Sequence, residues 1–540
     1  MKDPNAVTPV AAPTRIRLIK DSLMNRFLLN ALTLGMMTVI GCGAAQAQTL
    51  RLAMNSDIRS LDPGVNRDDR SDAVVLHMTE GLVAYGEKGE VKPLLAEKVN
   101  VSADGLTYTF TLRQGVRFHN GEVMTADDVL WSWNRDMDPK TQWRCLPEFD
   151  GSGLTKVTKV TAPDPHTVVM QLEKPSGMFL ATLARTDCGG TAVLNKASVN
   201  AQGEFVAPVA TGPYQLGEWK RGQYVTLNKF AGYQPLSGPR DGYTGGKTAL
   251  ADEVRFVIIP DQATVKAALF SGDLDMAEVT ETDLPEIKTH AALKVSTAPS
   301  ATMNVLMFQT RDPLLKDKRI RQAIAAAIDV KQLVATTSNG FGVPNNSIIS
   351  VASSYYGPSE QRGFTYDPQK AAQLLQEAGY RGQPLTIIAN KRSMVPSYDL
   401  AIIAQAMLQA VGINAQVEVM EWGTQLERYQ SGRYQAMSFT YSARFDPALS
   451  FEQATGNKDK ESRKVWEDPQ AIEMLTQALK EGDTAKRQVI FDQLHERFID
   501  QVPMIVMYNG LDIVALNQKV EGYDAWIGQK PRLWGVSVKP

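Results

Sequence analysis

The stretch LTIIANKRSMVPSYDLAIIAQAMLQAVGINAQVEVM, residues 385–420, decides the fold class. Leu385 to Ala389 is a short apolar run of strand length. Tyr398 to Val411 carries apolar residues at helical spacing and is stopped by Gly412, and Ile413 to Met420 alternates as a strand does. Strand, helix and strand in that order form a βαβ unit, whose crossover makes the two strands parallel. The chain is therefore α/β here, and just beyond it Met437 to Tyr441 reads as a further strand that again runs into a loop.

Working outward, the character differs on the two sides. From Thr49 to about Pro299 the pattern is strand-rich: Thr107 to Leu112 alternates, and Lys156 to Thr161 and Thr167 to Leu172 flank the turn formers Pro163-Asp164-Pro165 as the arms of a hairpin. Thr125 is placed to cap a helix carrying Val129, Leu130 and Trp133, and Asp127-Asp128 reads as helix-start charge. After Pro299 helices alternate with strands. Ile320, Ile324, Ala327, Ile328 and Leu333 recur at helical spacing, and Asp367-Pro368 is an N-cap and first-turn pair. The apolar runs Met504 to Tyr508 and Ile513 to Leu516 return the chain to its first part. A span of this length exceeds what one hydrophobic core supports, so at least two lobes are expected.

At the N-terminus Arg15, Arg17, Lys20 and Arg26 precede an apolar run from Phe27 to Gly41 and then Ala45-Gln46-Ala47, the layout of an export signal cleaved after Ala47. Asn30 interrupts the run, which falls short of the ~20 residues of a membrane span. Val39-Ile40-Gly41-Cys42 is similar to a lipoprotein cleavage box, so lipidation of Cys42 is the second reading; either route leads to the periplasm. Residues 1–47 carry five Lys/Arg and two Asp, so their removal takes the formal charge from −2 to −5. A mildly acidic chain has no electrostatic reason to hold nucleic acid. Cys145 and Cys188 then remain, and in an oxidising compartment they are natural partners. Their loop would be worth about 4 kcal/mol in the chain-entropy model; two separate buried thiols are the alternative.

Motifs for chemistry are sparse. The five histidines, His77, His119, His166, His290 and His495, stand singly with no Cys or His at zinc spacing, so no metal site is expected. Gly246-Lys247-Thr248 resembles the end of a phosphate loop, but Asp241 stands where the earlier Gly belongs. Neither a Gly-x-Ser-x-Gly elbow nor a dinucleotide fingerprint is present, and no cofactor is expected.

A second set of residues carries a family resemblance. Within Pro93 to Val129 stand Ser102-x-Asp104-Gly105, Arg113-x-Gly115-Val116-x-Phe118-His119-x-Gly121 and Ala126-x-Asp128-Val129. They are followed by Thr211-Gly212-Pro213-Tyr214, Ser271-Gly272-Asp273-Leu274-Asp275, Arg319-Ile320-Arg321-Gln322-Ala323 and Tyr366-Asp367-Pro368. Their order and spacing resemble those of the extracytoplasmic solute-binding proteins of peptide, nickel and opine ABC importers. The resemblance implies a two-lobed periplasmic-binding-protein fold of type II, with an additional strand-rich subdomain in the first lobe. Residues 48–299 and 510–540 would form lobe I, and 300–509 lobe II. It implies a monomer that captures a peptide or another carboxylate-bearing solute and delivers it to permease subunits in the membrane. A secreted hydrolase, or a peptide chaperone on the same scaffold, are the competing readings; the sparse histidines count against nickel.

In open α/β sheets ligands sit beyond the carboxyl ends of strands. Two such loops carry unusual charge: Asn390-Lys391-Arg392-Ser393, and Ser442-Ala443-Arg444-Phe445-Asp446 after the strand ending in Tyr441. Compared with dipeptide-binding members, Lys391 falls on the cation that holds the ligand carboxylate, with Arg392 beside it. The acidic residue expected three positions before Asp446-Pro447 is Ala443 here, followed by Arg444. Two cationic loops on one cleft favour an acidic ligand, with Arg444 as its clamp and Tyr441 as an aromatic wall. From the first lobe, Ser56, beside Asn55, and Thr211 are candidates for neutral hydrogen bonds. The alternative for Lys391, Arg392 and Arg444 is a solvated charge or an ion pair.

Overall fold

The structure is a computed structural model that describes residues 48–539 other than Asn66, Arg67, Leu154, Ser393 and Met394. The export signal expected over residues 1–47, with Cys42, lies outside the described residues, as does Ser393 of the first charged loop.

A ten-stranded mixed sheet forms the frame. Its order is Ala415–Val419, Leu385–Ala389, Ala436–Tyr441, Leu293–Phe308, Met504–Asn517, Met276–Glu278, Thr49–Met54, Glu253–Ile258, Tyr224–Lys229 and Tyr214–Lys220. The βαβ unit is present: Leu385–Ala389 runs parallel to Ala415–Val419 in unbroken register. The helix between them, Ser397–Ala410, buries Leu400, Ala401, Ala404 and Leu408. Full burial of a leucine contributes about 1.5–3 kcal/mol, so this face docks the helix firmly on its strands. At the other end Thr49–Met54 lies parallel to Glu253–Ile258 and sends Leu50, Leu52 and Met54 into a separate core with Tyr214, Val225 and Phe256.

The halves are joined by two long antiparallel strands. The runs read separately as Met504 to Tyr508 and Ile513 to Leu516 are one strand, Met504–Asn517, paired with Leu293–Phe308 from Leu293↔Asn517 to Met307↔Met504. The ladder is interrupted twice near its middle: the register jumps from Pro299↔Leu511 to Met303↔Asn509, the larger break, and shifts again between Asn304↔Tyr508 and Val305↔Val506. Gly510 makes that crossing possible. A Cβ there would lie 2.0 Å from Thr302 Oγ1, whereas the bare backbone lets Gly510 N donate to the same oxygen at 3.0 Å.

The strand-rich subdomain is an antiparallel sheet ordered Ala96–Val101, Thr107–Leu112, Thr167–Leu172, Val157–Asp164. Helix Ala126–Asp136 packs on it, opened by a reciprocal cap in which Asp128 Oδ2 accepts from Thr125 N at 2.8 Å. Its core includes Phe110, Trp133, Trp143, Phe149 and Phe179. Beside Trp143, Cys145 and Cys188 are joined as a disulfide with Cα atoms 5.6 Å apart.

Buried charges tie distant segments together. Lys247, far from any phosphate-loop role, pairs with Glu80 at 2.7 Å, both essentially inaccessible, and Glu80 also accepts from Tyr233 and Thr211. Arg321, from the signature around Ala323, donates to the carbonyls of Leu315, Lys316, Gln501 and Val502, which terminates helix Thr484–Gln501. Burial pulls its guanidinium down to about 10.

A clasp links the strand-rich subdomain to the second half of the chain. Gly177 N donates to Leu479 O at 3.1 Å, and a Cβ on Gly177 would lie 2.0 Å from Glu481 O. Gly177→Val therefore forces this contact apart, with an expected loss of about 1–3 kcal/mol in denaturant titration; an unchanged midpoint would contradict the packing. Replacing Cys145 and Cys188 together with alanine is expected to cost about 2–5 kcal/mol in the same titration, and no loss would show that the cross-link adds nothing.

Candidate ligand-binding cleft

A cleft of about 770 Å³ opens where the long ladder breaks. Strand ends build it. Asn55 and Ser56 follow Thr49–Met54, Glu278 closes Met276–Glu278, and Ser442 to Phe445 follow Ala436–Tyr441. Thr302 and Leu511 to Ile513 lie along the crossover itself. Tyr85 and Phe445, with ring centroids 4.5 Å apart, add an aromatic wall.

Most charges in the cleft are compensated. Arg70, in the first turn of helix Asp69–Val75, makes two 3.0 Å bonds to Glu278 and a third to Asn55 Oδ1. Arg185 holds both oxygens of Asp187 and also reaches Glu148. Burial pushes the Asp187 carboxyl up, but Arg185 outweighs it and leaves Asp187 below the usual carboxylate range. Lys530 meets Asp69 at 3.0 Å, and Asp68 is taken up in capping its helix.

Two groups are exceptions. Arg444 is exposed within the cleft; among the described residues its guanidinium makes one hydrogen bond, donated to the adjacent Ala443 carbonyl at 2.8 Å, and has no carboxylate partner. Asp512 is 4 % exposed, and among the described residues its carboxyl accepts one hydrogen bond, from Trp526 N at 3.0 Å. Burial pushes its carboxyl up to about 7, with the charge of Glu278 adding and the Trp526 N–H opposing.

The sequence-derived candidates divide accordingly. Ser56 and Arg444 line the cleft, as does Ala443. Lys391 and Arg392 do not: Lys391 Nζ sits 4.0 Å from the centre of the Tyr398 ring, and Arg392 stacks on Trp422 at 3.6 Å while bonding Asn390 Oδ1. Both cations are exposed outside the lining of this cleft, so of the two charged loops only Ser442 to Phe445 lines it. Tyr441 is buried in a ring cluster with Tyr429 and Phe439, and Phe445 and Tyr85 take the place of the expected aromatic wall. Asp446 is buried, clamped by Arg487 at 2.7 and 2.8 Å and capping helix Pro447–Ala454. Thr211 is buried against Glu80.

Sequence reasoning missed Arg70, Arg185, Glu278, Lys530 and Asp512. Glu278 was within reach of the strand-end rule, since it closes a short strand just after the Asp273-Leu274-Asp275 motif. The others are brought in by a helix start, by loops and by the returning strand, which no local pattern announces.

With the geometry in view, comparison with known proteins gives a consistent result. The glutathione-binding protein GsiB of Escherichia coli K12 is 26 % identical over 517 residues, covering 93 % of this chain and 96 % of that protein. The structure of HbpA2 from Haemophilus parasuis superposes with a TM-score of 0.78 at 25 % identity, over 91 % of this chain and all of that one. AgaA from A. tumefaciens R10, solved in complex with agropinic acid, gives 0.65 at 26 % identity over 91 % of this chain and 99 % of its own. The model of the bacterial extracellular solute-binding proteins, family 5, matches residues 90–462. The chain belongs to that family, and its fold is that of the two-lobed periplasmic binding proteins.

Proposed function

We propose that this chain is the receptor of an ABC importer, which takes one peptide-like or otherwise carboxylate-bearing solute into the cleft and hands it unaltered to permease subunits in the membrane. The observation that carries the reading is Arg444, which among the described residues is a cleft cation without a carboxylate, while Arg70, Arg185 and Lys530 are paired. A ligand carboxylate supplies that partner, and the guanidinium fork receives it through two parallel N–H bonds. Relatives named for glutathione or solved with agropinic acid support this choice of solute.

We assign residues 48–299 and 510–540 to lobe I and 300–509 to lobe II, on the register break at Pro299/Met303 and Leu511/Asn509. Closure then requires a solute that touches both walls, because only a difference in affinity between open and closed arrangements shifts the population. The receptor works as a monomer without cofactor, nucleic acid or catalysis. It reaches the periplasm by a signal cleaved after Ala47, with a lipid on Cys42 as the second route. Among the described residues no helix is long and apolar enough to cross a membrane.

A thermal-shift panel of short peptides, glutathione and opine-type acids tests the reading. At least one compound is expected to bind one to one, with stabilisation growing with its concentration. Arg444→Ala is expected to weaken that compound about 10–100-fold by titration calorimetry, the worth of a hydrogen bond to a charged group, whereas Lys391→Ala stays near the native affinity. A panel without any shift, or full affinity after Arg444→Ala, would overturn the proposal.

A further inference from the structure

Two segments that line the cleft are held from outside it by one covalent bond and its sequence neighbours. Arg185-Thr186-Asp187 forms one part of the wall, and the start of helix Asp69–Val75, with Asp69 and Arg70, forms another. Asp187 is followed directly by Cys188, whose disulfide partner is Cys145; both cysteines are buried, and neither lines the cleft. Arg144 precedes Cys145 directly and reaches the other segment. Its guanidinium donates to Asp72 Oδ2 at 2.7 Å, with both side chains more than nine-tenths buried. From the same stretch Glu148, in the turn Leu146–Glu148, accepts from Arg185 at 2.8 Å.

The backbone between these pieces is packed without room for a side chain. Trp143 Nε1 donates to Cys188 O at 3.1 Å, and Arg144 N donates to Gly64 O at 3.0 Å. A Cβ on Gly64 would stand 2.5 Å from Trp143 Nε1 and 2.6 Å from Cys188 O, and one on Gly189 would stand 2.7 Å from Pro63 Cβ. Pro63-Gly64 lies just before Asp68, which caps the helix. The stretch Trp143 to Cys145 thus grips the helix start at Gly64 and again at Asp72, and is itself tied to the residue that follows Asp187.

We infer that the Cys145–Cys188 disulfide and Arg144 are positioning elements of the cleft: the bond fixes Arg185 to Asp187, the ion pair fixes the start of helix Asp69–Val75, and together they set one part of the wall against the other. The positioning stands on this geometry, and its consequence for a solute rests on the receptor reading above. Loop closure by a disulfide acts on the unfolded chain and by itself leaves the folded cleft as it is. A positioning cross-link acts on the folded protein. Without it the two wall segments sample more arrangements, and a solute that touches both must order them on binding, which weakens it.

The test is hydrogen–deuterium exchange read by mass spectrometry on the native chain, on Cys145→Ala/Cys188→Ala and on Arg144→Met, with helix Ser397–Ala410 as internal reference. In the double variant the amides of residues 69–76 and 185–190 are expected to exchange about tenfold faster relative to that helix. Arg144→Met is expected to speed 69–76 more than 185–190, where the disulfide remains. Equal acceleration of all three stretches, the mark of lost global stability, or native rates over 69–76 in Arg144→Met, would overturn the inference. The single variant decides if the double one does not fold. Titration calorimetry with glutathione and trialanine reads the consequence: a probe bound by the native chain is expected to bind the folded double variant about tenfold more weakly. Native affinity there would overturn the inference and leave the receptor reading standing. Binding of neither probe to the native chain counts against the receptor reading, and the exchange rates then decide the positioning on their own.

Discussion

Everything in this molecule is arranged around one ladder, the antiparallel pairing of Leu293–Phe308 with Met504–Asn517. These strands lie at the centre of the ten-stranded sheet and carry a different set of strands and a different core on each side. The break between Pro299 and Met303 interrupts the regular pairing that would otherwise stiffen the connection. Thr302 and Leu511 to Ile513 line the cleft at that same place. Under the proposed function, solute and crossing point are neighbours, and a ligand that bonds both walls acts on a segment where the ladder is interrupted.

Three buried charge arrangements outside the cleft are complete within the protein. Lys247 with Glu80, Arg487 with Asp446, and Arg321 with four carbonyls are buried arrangements in which every main partner is supplied by the protein. Such pairs contribute little net stability, yet removing one partner is expensive, which makes them markers of register more than sources of free energy. Against this background, a cleft cation without an anion and a buried cleft carboxylate with one donor stand out among the described residues.

Much of the fold was legible in the sequence because it was written in local patterns. The helix over residues 397–410 and its flanking strands follow from apolar spacing, and the cap at Thr125 from a residue type at one position. The continuous strand Met504–Asn517 was not, because Asn509 and Gly510 read as a gap when they are a close crossing that pairs with Thr302. Of the residues the strand-end rule singles out, Ser56 and Arg444 line the cleft. Lys391 and Arg392 lie outside it, against the aromatic faces of Tyr398 and Trp422. Asp446 and Thr211 are engaged by Arg487 and Glu80, 41 and 131 residues away, which no local pattern announces. Asp512 carried no signal, since its burial depends on a loop that brings Trp526 N to it.

The central claim is a hinge at the ladder break that a solute closes. Small-angle X-ray scattering of the chain with and without a solute already shown to bind measures it most directly. A smaller radius of gyration and a sharper distance distribution in the bound protein are the result this account predicts. Superimposable profiles at saturating ligand would contradict it.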